Sequence, residues 1–226
     1  WLRCWEAFVQ AIPSDKLPGF TIWSFEFKEQ PEIEADMPAW KQDFLRKNSA
    51  FYVAHKDIID QWEETNWAQP NEQPYHLKDF PVSRQKFEWQ AQSYHPVRSQ
   101  RTIKDLLLQF RPSGIRVKPP SYTPALVAIN QTPIVGPNLI GRSYFRKLSP
   151  SETAKLQGMS GEIFEIAGIT EADAYKQLGN AVNVGMIRLL MMRLLVGLKS
   201  PIFSGECQST DGSQLPLFAT DQTTDT

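Results

Sequence analysis

The sequence predicts a mixed α/β fold of short strands and helices, and three observations carry that expectation. From Trp40 to Trp62, the residues Phe44, Leu45, Tyr52, His55, Ile58, Ile59 and Trp62 recur at helical spacing and share one broad apolar face. Two β-branched runs, Ala125–Ile129 and Thr132–Val135, are broken by Pro124 and Pro133 and read as strands. Ser149-Pro150-Ser151-Glu152 reads as a helix start: Ser149 can cap, Pro150 suits the first helical position, and Glu152 can reach back to the cap amide.

The other elements follow in chain order. Residues 1–83 are aromatic-rich, punctuated by Pro, and hold an acidic stretch from Glu26 to Asp36 whose default is a solvated loop face. Residues 84–118 carry eight cations (Arg84, Lys86, Arg98, Arg101, Lys104, Arg111, Arg116, Lys118) against Glu88 and Asp105, a balance of +6. Within that zone, residues 103–110 suggest a short helix ended before Pro112 and Gly114. The helix that opens at Ser149 runs through Ala154 and Leu156 and stops at Gly158. A last helix starts near Asn180 or Asn183 and reaches Leu198, with Met186, Leu189, Leu190 and Leu194 at helical spacing. Arg188 and Arg193 mark it as a packing helix rather than a membrane span. Residues 200–226 contain no Lys or Arg and read as a disordered polar tail.

Composition narrows the function classes. At 226 residues the chain suits one large domain or two small ones. Seven Trp and thirteen Phe with a net charge of -1 exclude disorder throughout, and two Cys exclude a disulfide scaffold. No signal-like start and no apolar run of the ~20 residues a spanning helix needs point to a cytoplasmic protein without a membrane partner. Residue 1 is Trp rather than Met, so the chain is expected to begin inside a longer protein. No Gly-x-Gly-x-x-Gly or Walker loop occurs, and His55, His76 and His95 are not paired with Cys at zinc-ligand spacing, so no metal site is expected. Cys4 and Cys207 read as ordinary thiols.

Two segments stand out: Arg146 to Met159 and Tyr175 to Val182. As residues alone they are a capped helix with an Arg on its lead-in, and a Gly-Asn step at the mouth of a helix. Such a step presents N–H groups to a carboxylate or phosphate. As a pair they resemble motifs IX and X of the DNA cytosine-5 methyltransferases. The first matches at Arg146, Leu148-Ser149-Pro150-Ser151-Glu152 and Ala154-Lys155-Leu156-Gln157-Gly158; the second at Tyr175-Lys176-Gln177, Gly179-Asn180-Ala181-Val182. Trp40–Lys47, Arg84–Gln92 and Phe110–Arg116 are similar to members found with bacterial restriction systems, and the resemblance covers roughly residues 1–198.

That resemblance implies a target-recognition domain over residues 1–140. Residues 141–198 would return to a Rossmann-like lobe that binds S-adenosylmethionine, most of which is absent, and residues 199–226 would form the tail. The family's Pro-Cys-Gln nucleophile, its Glu-Asn-Val and its Gln-x-Arg-x-Arg are not present, so no catalytic residue is expected in this chain. The expected partners are duplex DNA and an N-terminal catalytic lobe or subunit. Arg84, Lys86, Gln90, Arg111, Ser113, Arg116 and Lys118 are the candidate DNA contacts, with Arg111 to Lys118 read as a Gly-containing loop between a helix and a strand. By resemblance, Asn180 and Ala181 line the S-adenosylmethionine pocket. Residues 182–198 should bury an apolar face against a sheet this chain lacks, leaving Met186, Leu189, Leu190 and Leu194 partly exposed. Gln214, Leu215, Leu217 and Phe218 form a peptide similar to those that dock into the bacterial sliding clamp. The reading is the C-terminal portion or subunit of a DNA (cytosine-5)-methyltransferase. The alternative is a non-catalytic DNA-binding remnant or accessory protein.

Overall fold

The computed structural model describes residues 1–94, 101–126 and 133–196. They divide into two compact units, 1–124 with 133–136, and 125–126 with 137–196.

The first unit is a mixed sheet with helices on its apolar face. Its elements are α1 (Leu2–Ala11), β1 (Thr21–Trp23), α2 (Ala39–Ala54), α3 (Lys56–Glu63), β2 (Lys86–Trp89), β3 (Leu107–Arg111), β4 (Gly114–Lys118) and β5 (Ile134–Val135). The strand order is β1-β2-β4-β3-β5. Only β2 and β4 run parallel; β1 with β2, β3 with β4 and β3 with β5 are antiparallel.

Side chains alternate across a pleated strand, so the registers sort this sheet into two faces. Ile22, Phe87, Trp89, Leu108, Ile115 and Val117 share one face, and all are fully buried. Helix α1 buries Cys4, Trp5, Phe8 and Val9, and its Trp5 ring stacks on Phe87 with centroids 4.5 Å apart and planes 9° from parallel. Trp62 of α3 closes on Trp5 and Phe8 at 5.1 and 4.7 Å. Two of the three indoles in this core are satisfied: Trp5 Nε1 donates to the Arg84 carbonyl at 2.9 Å and Trp62 Nε1 to the Cys4 carbonyl at 2.8 Å, whereas the Trp89 Nε1 is buried without a partner. Burial pushes the Cys4 thiol up, away from the reactive thiolate, in keeping with its reading as an ordinary thiol.

Two buried polar side chains lock the helices in place. The Glu6 carboxylate accepts from Thr102 Oγ1 at 2.5 Å, from the Ile103 amide at 2.8 Å and from Gln10 Nε2 at 2.8 Å. Asn48 of α2 accepts from the Trp23 amide at 2.8 Å and donates to the Phe44 and Thr21 carbonyls at 3.0 and 3.4 Å, so α2 is held against edge strand β1.

The Trp40–Trp62 helical expectation holds with one break at His55, between α2 and α3. The expected helix over 103–110 is corrected. Residues 103–105 make one 3-10 turn, and Leu107–Arg111 is a central strand of the sheet. Three consecutive Leu fit a helix or a doubly covered strand equally well; pairing with β4 and β5 decides it. The expected strand Ala125–Ile129 is not seen at 125–126, and its remainder lies outside the described residues.

The second unit holds β6 (Arg146–Lys147), α4 (Pro150–Leu156), α5 (Ile163–Ile166), α6 (Glu171–Asn180) and α7 (Val184–Val196). Its small core is Ala154, Phe164, Ala174 and Leu178, with Met159 and Ile169 packed against them. The Ser149 start forms as read, with a full capping box to Glu152. Gly158 ends the turn after α4 at φ +75°, which favours glycine. Helix α7 does not pack into a core: Met186, Ile187, Leu190, Met191, Met192 and Leu194 are all exposed, Leu194 at 78%. Among the described residues no helix is long and apolar enough to cross a membrane.

Replacing the fully buried Asn48 with Leu orphans the part-buried Trp23 amide while roughly keeping the side-chain volume. An unpaired buried donor costs about 1–3 kcal/mol, so Asn48→Leu is expected to lower the unfolding free energy by that amount in urea titration.

Candidate nucleic-acid interface

The second face of the sheet is polar and basic. On β2 it carries Lys86 and Glu88, with Gln90 just beyond; on β4, Arg116 and Lys118; on β3, Gln109 and Arg111. The registers Glu88–Arg116 and Gln109–Arg116 place these side chains in one row across three strands. Gly114 makes the row possible. Its φ is +127°, and a Cβ there would lie 2.8 Å from the Lys86 carbonyl oxygen, so only glycine lets β4 close on β2.

Glu88 organises the row. Its Oε2 accepts from Arg111 Nη2 at 2.6 Å and from Arg116 Nε at 3.0 Å, and its Oε1 accepts from Gln90 Nε2. The carboxylate is largely withdrawn from water, at 11% exposure, with Arg111 at 18% and Arg116 at 25%. Burial, then the neighbouring Arg116, pulls the affinity of Arg111 for its proton down, and the same two causes act on Lys118. Desolvating charges offsets much of their attraction, so such a cluster orients side chains more than it stabilises the fold. Lys86 lies over Trp23 at 4.8 Å and over Phe25 at 5.6 Å, and Lys118 over the exposed Tyr122 ring at 4.7 Å.

The structure thus brings together Lys86, Gln90, Arg111, Arg116 and Lys118 on one face. Arg84 goes elsewhere: its guanidinium sits 5.1 Å from the Trp1 ring and 4.3 Å from Phe110, on the helix-covered side. Ser113 lies in the exposed turn joining β3 to β4. The expected loop between a helix and a strand is therefore corrected to a β-hairpin, with Arg116 and Lys118 inside β4. In the sequence Glu88 stands only as one of two negative charges within the basic zone. Its signal was the period-2 run Lys86-x-Glu88-x-Gln90 alternating with Phe87 and Trp89.

The two motifs of the second unit are bonded to each other. Tyr175 Oη donates to the Leu148 carbonyl at 2.5 Å, Asn183 Nδ2 to Leu156 at 3.0 Å, the Val184 amide to Gln157 at 2.9 Å, and Gln157 Nε2 to Leu178 at 3.3 Å. Arg146 forms a two-point pair with Glu152 at 2.7 and 2.8 Å, and Glu152 also accepts from the Ser149 amide at 2.8 Å. The Gly-Asn step is corrected. Gly179 and Asn180 close α6 rather than open a helix, and Asn183 starts α7, its Oδ1 accepting from the Met186 amide at 3.1 Å. The step therefore presents carbonyls, not the anion-binding amides expected of it. Asn180 is exposed, and Ala181 is extended at φ -75°, ψ 151°. An exposed amide on an extended turn fits one wall of a ligand pocket. A cavity of about 250 Å³ beside Ser149, Phe164 and Glu171 does not include either residue. Gln214, Leu215, Leu217 and Phe218 lie outside the described residues.

The sequence pattern of C-5 cytosine-specific DNA methylases matches residues 12–195. The chain belongs to that family. It is 43% identical over 162 residues to the type II methyltransferase M.AluI of Cellulosimicrobium cellulans, a match covering 72% of this chain and 27% of that relative. The chain thus spans about a quarter of the length of that relative. No solved structure matches.

The Arg146–Glu152 pair yields a pH prediction. Burial raises the Glu152 carboxyl, but hydrogen bonds from Arg146 and the Ser149 amide outweigh it, and the net direction is down. A depressed folded value gives stability that is full above the unfolded value, about 4.3, and lost as pH falls through the folded one. Glu152→Gln is expected to cost about 1 kcal/mol at pH 7, a figure discounted for solvent screening. The gap from the parent chain should close below about pH 4, read by urea unfolding from pH 3 to 7.

Proposed function

We propose that this chain is the C-terminal portion of a DNA (cytosine-5)-methyltransferase. Residues 1–140 recognise a duplex DNA site, residues 141–198 return to the catalytic lobe, and residues 199–226 form a polar tail. The observation that carries this reading is the basic face of the sheet, where Arg111 and Arg116 are gathered on one carboxylate and Lys86 and Lys118 share the same face, in a chain of this family. Lysines on such a face attract phosphates, and arginine and glutamine side chains can read base edges. Glu88 and the burial of the cluster favour orientation over bulk charge.

The second unit supplies what the lobe must meet. Val184 to Leu194 form a helix whose exposed side chains are apolar on all sides apart from Arg188, and such a surface in a soluble protein marks an interaction site. Its counterpart in this reading is the lobe that carries S-adenosylmethionine, with Asn180 and Ala181 completing one wall of the pocket. The cofactor would supply the methyl group for C5 of a cytosine turned out of the duplex. In this reading the attacking thiol is that of the family's Pro-Cys-Gln motif, which this sequence does not contain, and Cys4 is buried in the core. Docking of Gln214–Phe218 into the sliding clamp is part of the proposal, and loss of clamp binding in a Leu217→Ala, Phe218→Ala variant would support it.

The test is duplex binding by the 226-residue chain across a salt series. Lys86→Ala and Lys118→Ala should each weaken binding to every sequence and reduce the slope of log affinity against log salt by about 1. Unchanged binding in both variants would remove the basic face from the reading. Separately, the chain should bind an apolar dye, and Leu190→Glu with Leu194→Glu should lower that signal; no dye binding by the parent chain would count against an uncovered α7.

A further inference from the structure

Glu88 is the only acid on β2, β3 and β4. A face built for phosphate alone gains nothing from a carboxylate 3.0 Å from a guanidinium. What the carboxylate does provide is a fixed plane. Arg116 spends its Nε on Glu88, which leaves the end-on pair, Nη1 and Nη2, without a partner among the described residues, as a two-pronged donor on a quarter-exposed side chain. Gln90 spends its amide nitrogen on the same carboxylate, leaving its carbonyl oxygen as an acceptor. Arg111 is tied by Nη2, and its Nε is buried without a partner, so it is the less available of the two arginines.

A planar donor pair held in one orientation suits an acceptor pair held in one plane. Guanine offers such a pair in the major groove, O6 and N7, whereas phosphate oxygens accept a charge from many directions and need no fixed plane. Resting on the reading of this face as the DNA surface, we propose that Arg116 is a specificity-determining residue that reads a guanine through Nη1 and Nη2. Glu88 is its positioning residue, and Lys86 and Lys118 provide the sequence-blind attraction.

The experiment begins with selection of bound duplexes from a randomised library by the 226-residue chain, then compares variants on the enriched site. Arg116→Lys, which keeps the charge and the stem but not the fork, should lose ~10–100-fold of discrimination at one G·C position while binding to unrelated duplex stays within about twofold. Glu88→Gln should relax the same position, a readout that general loosening of the fold would not confine to one base pair. Glu88→Asp serves if Glu88→Gln is insoluble, and should relax that position less. Replacing the guanine there with 7-deazaguanine removes the N7 acceptor. It should weaken the parent chain more than it weakens Arg116→Lys, whose ammonium can still reach O6 alone. Uniform weakening by Arg116→Lys on all sequences, with a salt slope reduced by about 1, would make Arg116 a phosphate contact and overturn the inference while leaving the DNA-binding reading intact. Failure of the parent chain to retain any duplex at low salt would overturn that reading, and this inference with it.

Discussion

Trp5 stacks on Phe87, and that contact decides which way strand β2 faces. Because successive residues point to opposite sides, a buried Phe87 and Trp89 oblige Lys86, Glu88 and Gln90 to point away from α1. Pairing extends the choice to β4, where Ile115 and Val117 join the core and Arg116 and Lys118 join the charged row. A slip of one residue would put two aromatic rings in water and a carboxylate in the core. The two-ring stack is worth about 0.5–1.5 kcal/mol beyond its buried area, but the register it enforces involves every side chain of the sheet.

Much of this was legible in the sequence, for identifiable reasons. Helical spacing located α2 and α3, and a cap, a Pro and a returning Glu located α4. These signals are local, so no partner was needed to read them. What failed was non-local. Ile103–Phe110 carries no preference strong enough to choose helix or strand without knowing that β4 and β5 flank it. The basic zone was readable as a charge count. That Arg84 leaves it for Trp1 and Phe110 depends on distant contacts, and that Glu88 gathers Arg111 and Arg116 depends on pairings between residues 23 and 28 positions apart. The Gly-Asn step failed for another reason. Gly is at home at either end of a helix, and only the bonds of Asn183 show which end this is.

The second unit shows why two separated segments read as paired motifs. Tyr175 and Gln157 each bond to a carbonyl of the other segment, and Asn183, one residue past the second, bonds to Leu156, so a change in one motif leaves an orphaned group in its partner. Arg146 and Glu152 add a rigid lead-in before α4. The motif residues are therefore mostly structural ties, and Asn180, Ala181 and Val182 are the part left facing outward or half-covered.

The bonds that secure α1 also set the order in which the first unit can assemble. Glu6 is satisfied by Thr102 and Ile103, and Trp5 by Arg84, across 96, 97 and 79 positions of chain. During synthesis the helix emerges long before its partners do. At the usual rate of about 5–20 residues per second, its aromatic stripe waits roughly 5–20 s for the strands that cover it. A nascent chain of this kind carries an uncovered sticky surface over that interval, and loops closed so late make the final docking slow. The aromatic core that makes the finished unit compact is thus also what the growing chain must be protected from.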